Sequence, residues 1–349
     1  MGLAVAAVKP VQRFPSFVRA DNPPAIAPLP ASDRARPLLS VMIPAYAPGE
    51  FLVETLRSVL AQDLGAQSMQ IAVVDDASPS TDIEALVAAV APAGRVEIHR
   101  NATNLGLAGN WNRSIVLARG ELVHLLHQDD VIFPGFYGRL LAGFASGAGT
   151  GMAFCRHAFV DEAGTWTRRS HLERWQPGIL GGWLRKIGSR QRIQCPAAIV
   201  RRSVYERLGG FRNDLVFALD WEMWVRIAAS YAVWYEPGIL ACYRRHPGSE
   251  TTRLAAAHKV GMDTLQAIEI FSSHFPARSR NRLRFRAYRR LFRVHLRNAR
   301  KLLENGTGSG ALEQLEIARI ALALLPDGLE KRLRKWQLRQ HQQRCTANG

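Results

Sequence analysis

Two adjacent carboxylates follow a short apolar stretch near the middle of the chain. Asp129 and Asp130 come shortly after the strand-like segment 122–126. Mg²⁺ and Mn²⁺ bind one or two protein carboxylates together with phosphate oxygens and water, so a carboxylate pair at the end of a strand suits such an ion. A helix N-cap or a turn is the alternative, because aspartate is common at both.

Two further acidic positions have residue types that could carry chemistry. Asp75 and Asp76 close the apolar run 71–74, where a carboxylate can accept the ring N–H of a uracil or thymine, or a ribose hydroxyl. Asp220 opens a tryptophan-rich segment, and a carboxylate at a partly desolvated helix start can remove a proton from an attacking hydroxyl. Turn chemistry and helix capping are the alternatives, so each acid alone is a weak signal.

The hydrophobic pattern predicts the elements that position these acids. Strand-like runs alternate with helical stripes at 38–43, 52–60, 71–74, 81–90, 96–98, 108–118 and 122–126, followed by strands near 152–159, 195–200 and 241–244 and a helix at 221–229. This alternation predicts an α/β fold with a doubly wound, mostly parallel central sheet. Such sheets bind ligands beyond the carboxyl ends of their strands, and Tyr46 and both aspartate pairs fall there.

The positive charge of the chain is concentrated at its C-terminal end. Of a formal net charge of +17, the segment 251–349 carries 20 Lys and Arg against 7 Asp and Glu. Composition therefore predicts a flexible Pro-rich leader at 1–36 that is excluded from the fold, a nucleotide-binding domain at 37–250 and a basic helical region at 251–349. Since the chain has no long uncharged apolar stretch and its cysteines are scattered, we expect a cytoplasmic protein.

Six short motifs together resemble family 2 of the glycosyltransferases over about residues 38 to 250. In chain order they are Pro44-Ala45-Tyr46, Val74-Asp75-Asp76-Ala77-Ser78, Asn104-Leu105-Gly106 with Asn110 and Asn112, Gln128-Asp129-Asp130, Asp220-Trp221-Glu222, and Tyr243-Arg244-Arg245-His246-Pro247-Gly248-Ser249. The resemblance implies a GT-A type fold and an inverting enzyme that moves a hexosyl group from a nucleotide diphosphate sugar to an acceptor hydroxyl. It also implies Mg²⁺ or Mn²⁺ as cofactor, a saccharide or lipid-linked acceptor, and bacterial polysaccharide or glycolipid assembly as the context.

The resemblance further implies roles for donor-binding and catalytic residues. Asp76 is expected to hold the nucleotide base in a pocket lined by Ala45 and Tyr46, and Asp220 to act as the general base. Family members often have asparagine where this chain has Ala47, a change that weakens a loop hydrogen bond rather than the chemistry.

The same resemblance implies the metal and phosphate contacts. Asp130 is expected to be the principal metal ligand, with Asp129 beside it placing ribose or metal. His246 is expected to close over the metal and diphosphate, with Arg245 as a phosphate contact. Many members have a further acid at the position of His127, which leaves the exact metal coordination open.

The basic segment 278–301 has three open interpretations. It holds eleven basic residues around an apolar stripe of Leu283, Ala287, Leu291 and Val294. It could be a solvated helix face that closes the catalytic domain, an amphipathic helix on the anionic inner face of the membrane, or a nucleic-acid-binding surface. No recognisable nucleic-acid module accompanies it. The rival function is thus a basic nucleic-acid-binding or membrane-surface protein on a nucleotide-binding scaffold.

A nicotinamide-dependent dehydrogenase is the other enzyme class to weigh for a doubly wound sheet. Such an enzyme needs a Gly-x-Gly-x-x-Gly turn after the first strand. This chain has Pro44-Ala45-Tyr46-Ala47-Pro48-Gly49 at that place, and the dehydrogenase interpretation is set aside.

Overall fold

Strands and helices alternate up to residue 244, and the described residues beyond it are helical. The computed structural model describes residues 22–30, 36–145, 149–256, 259–305 and 308–347. The strands are β1 Leu39–Ala45, β2 Met69–Asp75, β3 Glu97–Arg100, β4 Leu122–Leu125, β5 Val131–Ile132, β6 Thr150–Val160, β7 Trp166–Arg169, β8 Gly178–Ile179, β9 Ala198–Arg201 and β10 Ala232–Arg244. The helices are α1 Phe51–Leu60, α2 Ile83–Ala88, α3 Gly106–Leu117, α4 Phe136–Ala145, α5 Trp183–Ile187, α6 Arg202–Leu208, α7 Leu219–Ser230, α8 Glu250–Ala256, α9 Val260–Ser272, α10 Arg280–Glu304, α11 Gly308–Ala323 and α12 Leu329–Ala347.

The described strands form one sheet whose central strands are mostly parallel. Its order is β3-β2-β1-β4-β9-β6-β10-β5, with β7 added to β6 and β8 added to β10. The pairs β3–β2, β2–β1, β1–β4 and β6–β10 are parallel, whereas β9 runs antiparallel between β4 and β6. The carboxyl ends of β1, β2 and β4 therefore share one edge, as the sequence predicts for a GT-A type fold.

Helices cover both faces of this sheet because successive side chains of a strand point to opposite faces. Val41 and Ile43 of β1 pack in one core cluster with side chains of α1, α2 and α4. Met42, the residue between them, packs in the opposite cluster with α3, α6 and α7. The doubly wound arrangement predicted from the alternating pattern is confirmed.

The basic C-terminal helices belong to the second of these core clusters. Leu283, Ala287 and Leu291 of α10 are buried there together with residues of α7, α9 and α11. The apolar stripe of α10 thus packs inside the protein, which supports the interpretation of this helix as a face that closes the catalytic domain. Among the described residues, no helix is both long and apolar enough to cross a membrane.

Part of the Pro-rich leader packs on the body. Ile26 is buried in the same core cluster, and the carbonyl of Pro24 accepts a 2.8 Å hydrogen bond from the N–H of Gly210. The prediction that residues 1–36 lie outside the fold is therefore wrong for 22–30, while 1–21 and 31–35 lie outside the described residues. Because the segment 22–30 forms no helix or strand, the hydrophobic pattern of the sequence could not predict the burial of Ile26.

Candidate active site

The loop that carries the aspartate pair is clamped between α1 and the end of β10. Asp130 is fully buried, and its Oδ1 accepts a 2.9 Å hydrogen bond from the backbone N–H of Arg244, the last residue of β10. The hydroxyl of Thr55 on α1 lies 2.8 Å from the carbonyl oxygen of Asp130 and 2.9 Å from that of Gln128. These contacts fix the loop before any ligand arrives.

The other oxygen of Asp130 is a buried acceptor without a hydrogen bond. Among the described residues nothing donates to Oδ2, which lies 3.5 Å from Nδ1 of His127, and Nε2 of His127 also lacks a hydrogen-bond partner. One ligand atom from each of His127, Asp129 and Asp130 lies within 4.8 Å of the others. Burial and the neighbouring charge of Asp129 raise the pKa of Asp130 to about 6.

This group fits a divalent cation. Two carboxylates and an imidazole are ligands that Mn²⁺ accepts, and carboxylates suit Mg²⁺ as well. A bound cation would supply the partner that Asp130 Oδ2 lacks and would stabilise its ionised form. His127, at the position where the resemblance left the metal coordination open, is therefore a candidate nitrogen ligand.

His246 reaches this group through Asp129. Its Nε2 lies 3.0 Å from Oδ2 of Asp129, a hydrogen bond that raises the pKa of the imidazole. Its ring packs against Phe51, with 5.1 Å between the ring centroids. His246, which the resemblance places over the metal and diphosphate, thus contacts the candidate metal ligand Asp129, while Arg245 beside it is exposed.

Arg244 is a site residue that the motif alone did not reveal. Its buried guanidinium donates to the carbonyl oxygen of Asp129 at 3.0 Å and to Glu54 at 2.5 Å, and it lies 4.4 Å from the ring centre of Phe51. Successive strand residues point to opposite sides, so only one of the two adjacent arginines can point inward. The pairing of β10 would have been needed to tell which one.

Tyr46 and Gln128 join the loops that follow β1 and β4. The N–H of Tyr46 donates to Oε1 of Gln128 at 2.7 Å, and Nε2 of Gln128 donates back to the carbonyl of Tyr46 at 3.2 Å. The phenol of Tyr46 is half exposed, whereas Ala45 at the end of β1 is buried. The loop of the candidate nucleotide-base pocket and the loop of the candidate metal ligands are therefore held at a fixed position relative to each other.

Asp75 forms a turn and braces a strained pair of loops. Its Oδ1 accepts hydrogen bonds from the hydroxyl of Ser78 at 2.5 Å and from the N–H of Ser78 at 3.1 Å. The same hydroxyl lies 2.8 Å from the N–H of Ala47. Ala47 and Ala77 have φ of 42° and 58°, a left-handed region that non-glycine residues seldom occupy. Backbone strain of this kind concentrates at functional sites.

Asp76 has partners other than the predicted nucleotide base. Its Oδ1 accepts from the side-chain amide of Asn101 and the N–H of Leu105, each at 2.8 Å, and its Oδ2 accepts from the N–H of Gly106 at 3.0 Å. Asp76 is only 2% exposed. The carboxylate thus anchors the start of α3 and shapes the loop 101–106.

Asp220 is the second residue of α7 and does not cap that helix. Its Oδ1 accepts from the N–H of Trp221 at 2.6 Å and its Oδ2 from the side-chain amide of Gln191 at 2.7 Å. Burial raises the pKa of Asp220 to about 7, although these hydrogen bonds and the nearby His127 oppose the change. A carboxyl group with this pKa is suited to accept a proton near neutral pH.

A residue of the C-terminal region positions the start of α7. The two carboxylate oxygens of Asp263 on α9 accept hydrogen bonds from the N–H groups of Val216, Phe217 and Ala218 at 2.7 to 2.9 Å. Asp263 is buried, so the three bonds are shielded from water. The basic region therefore helps to hold the helix that presents Asp220.

The phenol of Tyr243 lies within electrostatic reach of three candidate site acids. Burial raises its pKa, and the charges of Asp130, Asp129 and Asp220 act in the same direction. The loop of Asp129 and Asp130 and the start of α7, which are far apart in the sequence, therefore both lie near this side chain. The candidate metal ligands and the candidate general base, Asp220, are thus neighbours in the structure.

The family model for glycosyl transferase family 2 matches residues 40–209, which include both aspartate pairs. The chain belongs to this family. It is a glycosyltransferase, as the six motifs predicted. The match ends before Asp220 and the motif at 243–249.

Two curated relatives are similar to this chain in sequence. An uncharacterized protein of Mycobacterium tuberculosis (strain CDC 1551 / Oshkosh) is 31% identical over 66% of this chain and 74% of its own length. The succinoglycan biosynthesis protein ExoU of Rhizobium meliloti (strain 1021) is 27% identical over 55% of this chain and 57% of its own length. The chain thus spans little more than half of ExoU.

Two solved structures share the fold. S. aureus TarS 1-349 in complex with UDP-GlcNAc has a TM-score of 0.63 and 16% identity, over 89% of this chain and 88% of TarS. The mannosyltransferase PcManGT from Pyrobaculum calidifontis, in complex with GDP-Man and Mn²⁺, has a TM-score of 0.55 and 21% identity, over 95% of this chain and 90% of its own. Both similarities extend beyond the family match into the helical C-terminal region.

Proposed function

We propose that this glycosyltransferase moves a hexosyl group from a nucleotide diphosphate sugar to an acceptor hydroxyl with inversion, and that it serves bacterial polysaccharide or glycolipid assembly. One arrangement carries the proposal: His127, Asp129 and Asp130 form a group that fits a divalent cation, and the charges of Asp129, Asp130 and Asp220 all act on the neighbouring phenol of Tyr243. The related ExoU is named for succinoglycan biosynthesis, which supports the polysaccharide context.

The metal group would hold the leaving diphosphate. His127, Asp129 and Asp130 are the residues that would bind Mn²⁺ or Mg²⁺, with His246 fixing Asp129. A bound cation there would neutralise the negative charge that grows on the diphosphate as the glycosidic bond breaks. PcManGT is described with Mn²⁺ and a nucleotide sugar, which favours the same type of cofactor here. Arg245, exposed beside this group, is in a place to contact a phosphate.

The nucleotide would lie over the loops that follow β1 and β2. Tyr46 offers a half-exposed ring on which a base can stack, beside the buried Ala45. Asp76 holds the adjacent loop through Leu105 and Gly106, so its effect on donor affinity would come from that anchoring.

Asp220 would act on the acceptor. Its carboxylate takes the proton of the acceptor hydroxyl while the oxygen attacks the anomeric carbon. The bond from that carbon to the diphosphate breaks in the same step, and the electron pair leaves with the nucleoside diphosphate. Attack opposite the leaving group inverts the anomeric centre, so no covalent sugar–enzyme intermediate is needed.

A donor panel tests this proposal. UDP-GlcNAc, GDP-Man and other nucleotide sugars are incubated with the protein and Mn²⁺ or Mg²⁺, and hydrolysis to the nucleoside diphosphate is measured. We expect one donor to be hydrolysed when the metal is present and not to be hydrolysed when EDTA removes the metal. Failure of every nucleotide sugar to bind or react would overturn the donor assignment.

A further inference from the structure

An arginine-lined cavity lies between helix α10 and the segment that follows α5. Its volume is about 500 Å³, and Ser189 and seven arginines line it. Arg190 and Arg192 come from the segment after α5, and the other five come from α10. No carboxylate lines the cavity as the described residues form it. Its walls therefore present almost only positive charge.

The arginines of α10 occupy one face of the helix. Arg282, Arg286, Arg289 and Arg293 recur at intervals of four, three and four residues, which places them along a single side. Leu283, Ala287 and Leu291 of the neighbouring apolar stripe are buried in the core. This packing holds the arginines against the segment 188–194 and makes a concave surface.

The cavity brings several positively charged arginines close together, and a nearby carboxylate, Glu173, neutralises only part of this charge. Burial lowers the pKa of Arg190 to about 10, and the charges of Arg192 and Arg290 act in the same direction. Glu173 pairs with Arg192 at 2.5 Å and with Lys186 at 3.2 Å, so its single charge is shared. Repulsion among the arginines opposes their close approach, and a bound polyanion would relieve it.

The segment that contributes Arg190 and Arg192 to the cavity also contacts Asp220, the candidate general base. Gln191 lies between Arg190 and Arg192, and its amide donates to Asp220 at 2.7 Å. The indole N–H of Trp221, the residue after Asp220, donates to the carbonyl oxygen of Ile187 at 2.7 Å. A group bound by the arginines would thus be held by the same segment that contacts Asp220.

We propose that this cavity binds phosphoryl groups of the acceptor and so presents the acceptor hydroxyl to Asp220. The inference rests on the proposed function, which assigns the donor diphosphate to the separate group around Asp130. Arginine binds phosphate oxygens with a planar fork of N–H donors, and several arginines in one concavity suit a phosphate ester or diphosphate. Within the described part of the chain, no aromatic side chain lines the cavity, so this lining lacks the stacking surface of a single-stranded nucleic-acid site.

Paired charge variants test the cavity. Arg190→Gln/Arg290→Gln removes two lining charges, and Arg297→Gln/Arg300→Gln removes two charges of α10 from outside the cavity. Binding of inorganic pyrophosphate is measured by calorimetry in EDTA, so that no divalent cation assists the donor site. We expect the cavity pair to lose about 10- to 100-fold in affinity, since hydrogen bonds to charged groups are removed, and the control pair to bind like wild type. Equal affinity in all three proteins, or equal losses in both pairs, would overturn the proposal.

A second titration separates this inference from the proposed function. Nucleotide sugar binding with Mn²⁺ should be retained in the Arg190→Gln/Arg290→Gln variant and lost in Asp130→Asn. Pyrophosphate binding in EDTA should be weakened in the Arg190→Gln/Arg290→Gln variant and retained in Asp130→Asn. Loss of nucleotide sugar binding in the cavity pair, with pyrophosphate binding intact, would overturn the assignment. Because the variant removes repulsion between like charges, its melting temperature should not fall below that of wild type.

Two further probes identify the source of the phosphoryl group. Tighter binding of farnesyl diphosphate than of pyrophosphate, lost in the cavity pair, would assign the site to a lipid-linked diphosphate acceptor. Equal binding of the two would assign it to a phosphorylated saccharide. Phosphatidylcholine vesicles containing phosphatidylglycerol serve as the membrane probe, and a defect of the cavity pair confined to these vesicles would overturn the proposal in favour of a membrane surface.

Discussion

Replacing Asp220 with asparagine should make the protein more stable and less active. Burial raises the pKa of Asp220 to about 7 from an ordinary value of 3.8. Between about pH 4 and 7 the folded state therefore keeps the proton on Asp220, whereas the unfolded state releases it. The contribution of this group to the unfolding free energy is lost as the pH rises through 7. The difference of about three pKa units corresponds to at most about 4 kcal/mol at pH 8.

Asparagine removes this cost because it carries no charge at any pH. The unfolding free energy of Asp220→Asn should match that of wild type near pH 4 and exceed it by up to about 4 kcal/mol at pH 8. Turnover should fall about 10²- to 10⁴-fold, since the amide cannot accept the proton of the acceptor. Donor affinity should stay close to that of wild type, because the assigned donor contacts lie elsewhere.

Denaturant unfolding at several pH values, turnover and donor calorimetry test these effects together. In wild type, activity should fall as pH drops below about 7, because the protonated carboxyl cannot act as a base. A fully active Asp220→Asn enzyme would remove Asp220 from the mechanism. An equally stable or less stable variant at pH 8 would contradict the account of its burial.

Three further variants probe the remaining parts of the site. Asp130→Ala or EDTA should abolish transfer, and activity retained in both tests would contradict the metal-dependent mechanism. Asp76→Ala leaves the N–H groups of the loop 101–106 without their acceptor, so donor affinity by calorimetry should fall about 10-fold, and unchanged affinity would reject its role in donor binding. Gln191→Leu removes a hydrogen bond that lowers the pKa of Asp220, so the low-pH limb of the activity profile should move to higher pH, and an unmoved limb would mean that another group sets it.

The fold was predictable where each element carries its own periodicity. The alternation from β1 to β4 placed the chemistry-bearing loops at one edge of the sheet, and the structure agrees. Strand β10 was predicted only over 241–244, because Pro237 and Gly238 interrupt the apolar pattern. The strand in fact begins at Ala232 and passes this point with a shift of register against β6.

The site was predictable in its residue types but less so in their contacts. Asp129 and Asp130 lie in a short loop after a strand, so sequence alone could place them. The side-chain partner of Asp220, Gln191, lies 29 residues away in the sequence, and the partners of Asp76 lie in a loop 25 to 30 residues away. Such contacts are set by tertiary packing, for which local patterns hold no signal.

Uptake of Mn²⁺ tests the central claim most directly. The free-ion electron paramagnetic resonance signal is titrated against the protein, with UDP or GDP present, for wild type and Asp130→Asn. We expect wild type to remove one Mn²⁺ per chain from solution when its nucleoside diphosphate is bound, and Asp130→Asn not to do so. Absence of uptake by wild type, or equal uptake by both proteins, would contradict a metal site built on the aspartate pair.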